Sequence, residues 1–147
     1  MKIIVYDDFY RDEMISMVMA ARKALGLSPS VRKDLCDVKA NYLDKGDLFW
    51  LCVGGDKEVL GCLGFSREAG TREAFLHRFY VKAELKLKRR GIGSALLKTA
   101  EDAMRLKGID AAKVHLGHPP EVWYESYAFY AKHGYTEYAP RYLIKRL

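Results

Sequence analysis

The sequence is poor in the residues that staple small folds together. Of its 147 residues only three are cysteines, an odd number with no CxxC pair. That excludes a disulfide framework and a zinc ribbon. Proline occurs four times, and no Pro/Ser-rich linker, low-complexity tract or internal repeat marks a boundary. No run approaches the ~20 consecutive apolar residues that a membrane-spanning helix needs. The opening MKIIVYDDFYRDE turns acidic at once, without an apolar h-region or a cleavage site. Acidic residues are the minority, 19 against 25 Lys and Arg, for a formal charge of +6. The basic excess is spread along the chain and no nucleic-acid-binding motif accompanies it, so nucleic acid is not an expected partner.

What is present is a chain that is 50% hydrophobic and 30% charged, a balance that argues against disorder. The length fits one domain over residues 1–147 with a core large enough to stand alone. We expect a cytoplasmic, reduced protein that does not engage a membrane, as a monomer or homodimer.

Hydrophobic periodicity predicts the order β-α-α-β-β-β-α-β-α-β-β. KIIVY opens as a strand, and Asp7 and Asp8 start a helix through Met14, Val18, Ala21 and Leu25, closed by Gly26. Ser28-Pro29-Ser30 opens a second helix through Leu35, Val38 and Tyr42, ending near Gly46. Strands over 48–53 and 59–65 flank the turn Gly54-Gly55-Asp56-Lys57 and read as a hairpin, with Cys52 and Cys62 as cross-strand neighbours and buried free thiols. AFLHRFYV (74–81) is the longest aromatic-rich strand candidate. A helical stripe runs from Ile92 through Ala103, a strand covers 112–116, and a helix over about 122–133 stops at Gly134. YTEY and RYLIK close the chain as short strands. The fold class is therefore α/β: a mixed, mostly antiparallel sheet with a parallel pair and helices on its faces.

KRRGIGSALL is the most informative segment. Gly91 and Gly93 stand at the start of a strongly periodic helix, where backbone N–H groups can converge on one point. The helix adds its unpaired N-terminal N–H groups and its dipole, which together suit a phosphate or pyrophosphate. Lys86, Lys88, Arg89 and Arg90 reinforce it with charge. The spacing is neither GxxxxGK[ST] nor GxGxxG, since Leu96 stands where the third glycine would be. On spacing alone the same residues also fit a plain helix start beside a solvated basic face.

With these residues in view, the sequence resembles the GNAT superfamily of N-acetyltransferases. That family's phosphate loop, Q/R-x-x-G-x-G/A, is matched from Lys88 to Gly93 with Lys at the first position. Its aromatic-rich strand ending in Val is matched by Phe79-Tyr80-Val81, and its late helix by FYAKHGY, with Tyr130 and Gly134-Tyr135. Agreement extends from about Leu48 to the C-terminus. Three departures stand out: a strand-to-loop connector two residues longer, Trp123 where Asn is common, and Phe75 where some members carry a catalytic Glu.

The resemblance implies acetyl-CoA as cosubstrate and acetyl transfer to a primary amine of a small molecule or peptide, by direct attack. It places the pyrophosphate on backbone N–H groups from Arg89 through Arg90, Gly91, Ile92 and Gly93 to Ser94. Pantetheine would pair strand-like with Phe79, Tyr80 and Val81, and the thioester would sit where that strand and the next splay apart. Tyr130 takes the acid role toward the leaving thiolate; read without the resemblance, it is a core aromatic. An ammonium must lose a proton before its nitrogen attacks, so a base is also needed. Alternation on an unbulged strand puts Glu73, Phe75, His77, Phe79 and Val81 on one face. His77 suits a base by its ordinary pKa near 6.5, and Glu73 could act through water. His77, Glu73 and water remain open, as does a satisfied strand histidine. His118 is a further substrate-side candidate. His115 and His118 form no metal set, since no nearby carboxylate or cysteine completes one, and no metal is expected. The alternative function is a non-catalytic acyl-CoA-binding sensor.

Overall fold

The computed structural model describes residues 1–84, 90–117 and 124–147. Lys86, Lys88, Arg89, His118 and Trp123 lie outside the described residues.

Seven strands form one sheet in the order β1-β2-β3-β4-β5-β7-β6. They are β1 (Lys2–Val5), β2 (Leu48–Val53), β3 (Val59–Arg67), β4 (Glu73–Val81), β5 (Ala111–His115), β6 (Thr136–Ala139) and β7 (Tyr142–Arg146). All neighbours are antiparallel except β4 and β5, which pair in parallel. The β2–β3 turn follows the expected place, with Asp56 and Lys57 both at positive φ as a tight hairpin demands.

Strands β2 and β3 divide their side chains between two cores, and helices cover them. One face carries Phe49, Leu51, Cys62 and Tyr80 against the N-terminal helices. These are α1 (Arg11–Ala24), α2 (Lys33–Cys36) and α3 (Val38–Asn41). The other face carries Trp50, Cys52, Leu63, Phe65 and Leu76 against α4 (Ile92–Leu106). The stripe Ile92, Leu96, Leu97, Ala100 and Met104 lies fully buried there, and each larger member contributes about 1.5–3 kcal/mol of apolar burial. Helix α5 (Tyr124–Lys132) ends in a turn closed by Tyr135 N–H on the Tyr130 carbonyl at 3.0 Å, with Gly134 at φ +92°.

Two expectations change. The second helix is broken into α2, α3 and a 3-10 turn at Leu43–Lys45. Asp37 causes the break: its side chain accepts the Ala40 N–H at 3.1 Å and caps α3 afresh. Cys52 and Cys62 are not cross-strand partners, because Cys52 faces Gly61 and Cys62 faces Leu51, which sends the two free thiols to opposite cores. Burial pushes the Cys62 thiol up to about 12, so it is inert as a nucleophile at neutral pH.

Candidate active site

The cleft begins with a fault in β4. Opposite β3, Gly64 pairs with His77 but Cys62 pairs with Tyr80, so β4 carries one extra residue. That residue is Arg78, at φ +55°. The bulge inverts the strand's phase. His77 and Tyr80 lie toward the N-terminal helices, whereas Phe79 and Val81 pack with the α4 core. The expectation of an unbulged strand with His77, Phe79 and Val81 on one face is therefore corrected.

The phase change also redirects backbone groups. Glu73 accepts the Glu68 N–H through its carbonyl, so before the bulge the odd-numbered residues of β4 bond toward β3. After it, Lys82 N–H donates to the Leu60 carbonyl at 2.8 Å, so the even-numbered residues do. Phe79 and Val81 consequently turn their amide and carbonyl groups away from β3, to the side where β5 would lie. Among the described residues no strand meets them there. The β4–β5 pairing spans only Glu73, Ala74 and Phe75 opposite Ala111, Ala112 and Lys113. Beyond that point β5 stays with β7 and the pair splays.

A cavity of about 570 Å³ fills the opening. Phe79, Tyr80 and Val81 form one side, and Ala21, Ala24 and Leu25 at the end of α1 another. Gly91, Gly93 and Ser94 bring in the start of α4, and Ser126, Phe129 and Tyr130 bring in α5. Gly91 takes φ +75°, which a residue with a Cβ rarely adopts. Gly93 is closely approached: a Cβ there would stand 3.3 Å from Phe129 Cε1, and that ring would have to shift to accept it. No described acceptor meets the N–H groups of Ile92, Gly93 or Ser94, so the positive end of α4 is open to the cleft. The Ile92 side chain is buried in the core, which leaves only its backbone for a ligand. Arg90 is exposed beside the loop.

Tyr130 is 5% exposed and its ring stands edge-on to Phe79 at 6.2 Å. Its hydroxyl has no hydrogen-bond partner among the described residues, and burial raises its pKa well above the usual phenol value. It is thus a neutral phenol among the residues that line the cavity. His77 lies outside the cavity lining, on the opposite face of the sheet at the root of the splay. Its Nε2 is 2.6 Å from Ser66 Oγ, and its ring stands against Tyr42 at 6.4 Å. Burial and the neighbouring Arg78 charge hold its pKa below the usual histidine range, so the ring is neutral at neutral pH.

Glu73 is not brought to the site. It begins β4, six residues before Phe79, or about 20 Å along an extended strand. Lys113 donates to it at 3.0 Å and Arg146 at 3.3 Å, and these contacts hold its pKa down. A carboxylate so placed and so paired is a poor base for the cleft, which corrects the expectation for Glu73. Phe129 and the α1 residues, by contrast, were not anticipated. The small residues Ala21 and Ala24 at one end of α1 are the signal that bears on them, since they permit close approach.

A model of the Acetyltransferase (GNAT) family matches residues 10–135. The chain belongs to this family. As a GNAT acetyltransferase it has a fold shared with solved structures across its whole length. A GNAT-family acetyltransferase from Staphylococcus aureus Mu50 superposes with a TM-score of 0.88 at 21% identity, over 99% of this chain and 98% of that one. PaiA N-acetyltransferase from Thermoplasma acidophilum, in complex with coenzyme A, gives 0.73 at 19% identity over 100% of both chains. A GNAT-family acetyltransferase from Brucella melitensis, in complex with acetyl-CoA, gives 0.70 at 16% over 99% and 87%. No curated protein matches in sequence. Among the described residues no helix of this acetyltransferase is long and apolar enough to cross a membrane, and no group of three or more His, Cys, Asp or Glu could hold a metal ion.

Proposed function

We propose that this acetyltransferase moves the acetyl group of acetyl-CoA to a primary amine of a small molecule or peptide, by direct attack within a ternary complex. The observation that carries this reading is the cavity bounded by two sets of unpaired backbone groups. Phe79 and Val81 offer an open strand edge to the pantetheine amides, and the start of α4 offers its N–H groups and dipole to the pyrophosphate. The complexes of the Thermoplasma protein with coenzyme A and of the Brucella protein with acetyl-CoA support the choice of ligand.

In this reading the amine nitrogen attacks the thioester carbonyl carbon and the C–S bond then breaks. The leaving sulfur takes the Tyr130 hydroxyl proton, and a backbone N–H at the splay stabilises the developing oxyanion. The proton from the attacking nitrogen goes to His77 or to water. His77 reaches the reacting atoms only through the splay, from the face opposite the cavity, and its neutral ring can accept a proton there.

The test is an amine panel assayed by thiol release from acetyl-CoA, with acetylated products identified by mass. Turnover with at least one amine is expected. Tight acetyl-CoA binding without turnover on any amine would favour a sensor instead.

A further inference from the structure

The bulge that exposes the β4 edge is built on an unsuitable residue. Arg78 is the sole residue of β4 at positive φ, and it is not a glycine. Something outside the strand must hold it there. Two residues, Asp34 and Cys62, bond to it from the N-terminal face, and Tyr42 backs Asp34. Arg78 Nε–H donates to Asp34 of α2, at 2.9 Å to Oδ2 and 3.3 Å to Oδ1. Tyr42 donates its hydroxyl to the same Oδ2 at 2.6 Å. Cys62 Sγ–H points at the Arg78 carbonyl at 3.2 Å.

We propose that the Arg78–Asp34 ion pair, backed by Tyr42, is the positioning device that keeps β4 bulged and so keeps the Phe79 and Val81 amides turned into the cleft. The pair is well made for this. Arg78 and Asp34 side chains are 30% and 21% exposed, so water screens them only in part. Burial alone would raise the Asp34 pKa, but the bonds from Arg78 and Tyr42 outweigh it and hold the carboxylate charged. Asp34 lies 44 residues before Arg78, so the pair ties the segment after α1 to the strand. Arg22 of α1 adds a second tie, reaching the Tyr80 hydroxyl at 3.3 Å and the Ser28 carbonyl at 3.0 Å. None of these side chains needs to touch the cosubstrate. They act by fixing which backbone groups of β4 are left over.

The kinetic arm of the test rests on the acetyl-CoA reading above; the backbone arm does not. Backbone amide exchange is followed by NMR in the wild type, Arg78→Ala, Arg78→Gly and Asp34→Asn. In the wild type the Phe79 and Val81 amides should exchange fast and gain protection with coenzyme A. Arg78→Ala keeps the backbone strain and loses the clamp, so the strand should re-register and protect both amides against β3. Glycine accepts φ +55° freely, so Arg78→Gly should keep the amides exposed without the clamp. Coenzyme A affinity and kcat should fall about tenfold or more in Arg78→Ala and recover in Arg78→Gly, with the amine KM unchanged. Asp34→Asn should fall between them. Should a lone charge left by one substitution unfold the protein, Asp34→Asn/Arg78→Gly removes both and should behave as Arg78→Gly. Wild-type exchange and kcat in Arg78→Ala would overturn the proposal. So would equal losses in the Ala and Gly variants expressed only in the amine KM, which would make Arg78 an acceptor contact. A wild type that binds no coenzyme A would sink the cosubstrate reading, while the exchange pattern would still decide the role of the clamp.

Discussion

Tyr130 and Tyr135 make a matched pair for separating chemistry from stability. Both are buried, and their rings lie 5.2 Å apart. Tyr135 donates to Glu101 at 2.7 Å, a buried carboxyl that also receives Lys145 at 3.0 Å. The Tyr130 hydroxyl bonds to no described residue. Tyr130→Phe therefore removes an oxygen that holds nothing in the resting protein, and should change stability by less than about 1 kcal/mol. Tyr135→Phe strips one partner from a buried carboxyl and should cost about 1–3 kcal/mol. For a chain of this length that is a fall in Tm of roughly 2–12 °C. Activity should divide the other way. If the Tyr130 hydroxyl protonates the thiolate, kcat should drop about 100-fold or more in Tyr130→Phe, equivalent to about 2.7 kcal/mol of barrier. Tyr135→Phe should stay close to the wild-type rate at a temperature where it is folded. Thermal melts and steady-state thiol release on both variants decide the matter. An unchanged kcat in Tyr130→Phe, with chemistry shown to be rate-limiting, would refute the acid role. A parallel loss of Tm and kcat would make Tyr130 a structural tyrosine.

Acetyl-CoA at about 100 times its Kd should add about 2.7 kcal/mol to stability, read as a rise in Tm of several degrees; no rise at millimolar ligand would reject the cosubstrate. Gly93→Val should abolish that rise, because its methyls would press on Phe129 and Phe79 where α4 meets the cleft. A Cβ on Gly91 meets no described atom within 4 Å, so Gly91→Ala should lower stability by about 1–2 kcal/mol through backbone strain while ligand binding persists. His77, with a folded pKa below 6.5, should give kcat/KM an acidic limb below that pH if it is the base, and His77→Gln should remove the limb. The same shift sets a sign for stability. The unfolded ring takes up its proton near pH 6.5 while the folded ring resists, so stability should fall as pH drops from 6.5 toward the folded pKa; a pH-independent contribution, measured against His77→Gln, would contradict this.

Much of this was legible in the chain because the signals were local. The succession of strands and helices along the chain, the stripe of α4 and the stop at Gly134 are patterns of neighbouring residues, and the structure places each close to its expected position. The glycines of KRRGIG marked the start of α4 for the same reason. What escaped depends on distant partners. Nothing in AFLHRFYV marks a bulge: the strand holds no glycine, and the displaced residue is an arginine whose partner lies on α2. With the bulge unseen, the parity of the strand was misjudged, and His77 was put on the face of Val81. Glu73 was misplaced for a related reason. Alternation identifies a face but not a distance, and Lys113 and Arg146 claim that carboxylate from strands far along the sequence. The fracture of the second helix turned on Asp37, whose capping geometry shows only once the chain is folded.

The extra residue in β4 makes this acetyltransferase sensitive to counting as well as to chemistry. Which amides of the strand face the cleft depends on how many residues stand between the Gly64–His77 and Cys62–Tyr80 pairs, three steps on one strand against two on the other. Flattening the bulge at full strand length would return Phe79 and Val81 to β3 and present their neighbours to the opening, with every aromatic of the strand still present, whereas deleting Arg78 would make two steps face two and leave both residues turned to the cleft. A mutational scan should therefore find position 78 intolerant of side chains other than arginine and glycine, while deletion of Arg78 keeps the Phe79 and Val81 amides turned to the cleft. In the hairpin turn at 54–57, which sets no such parity for the cleft, length changes should be absorbed.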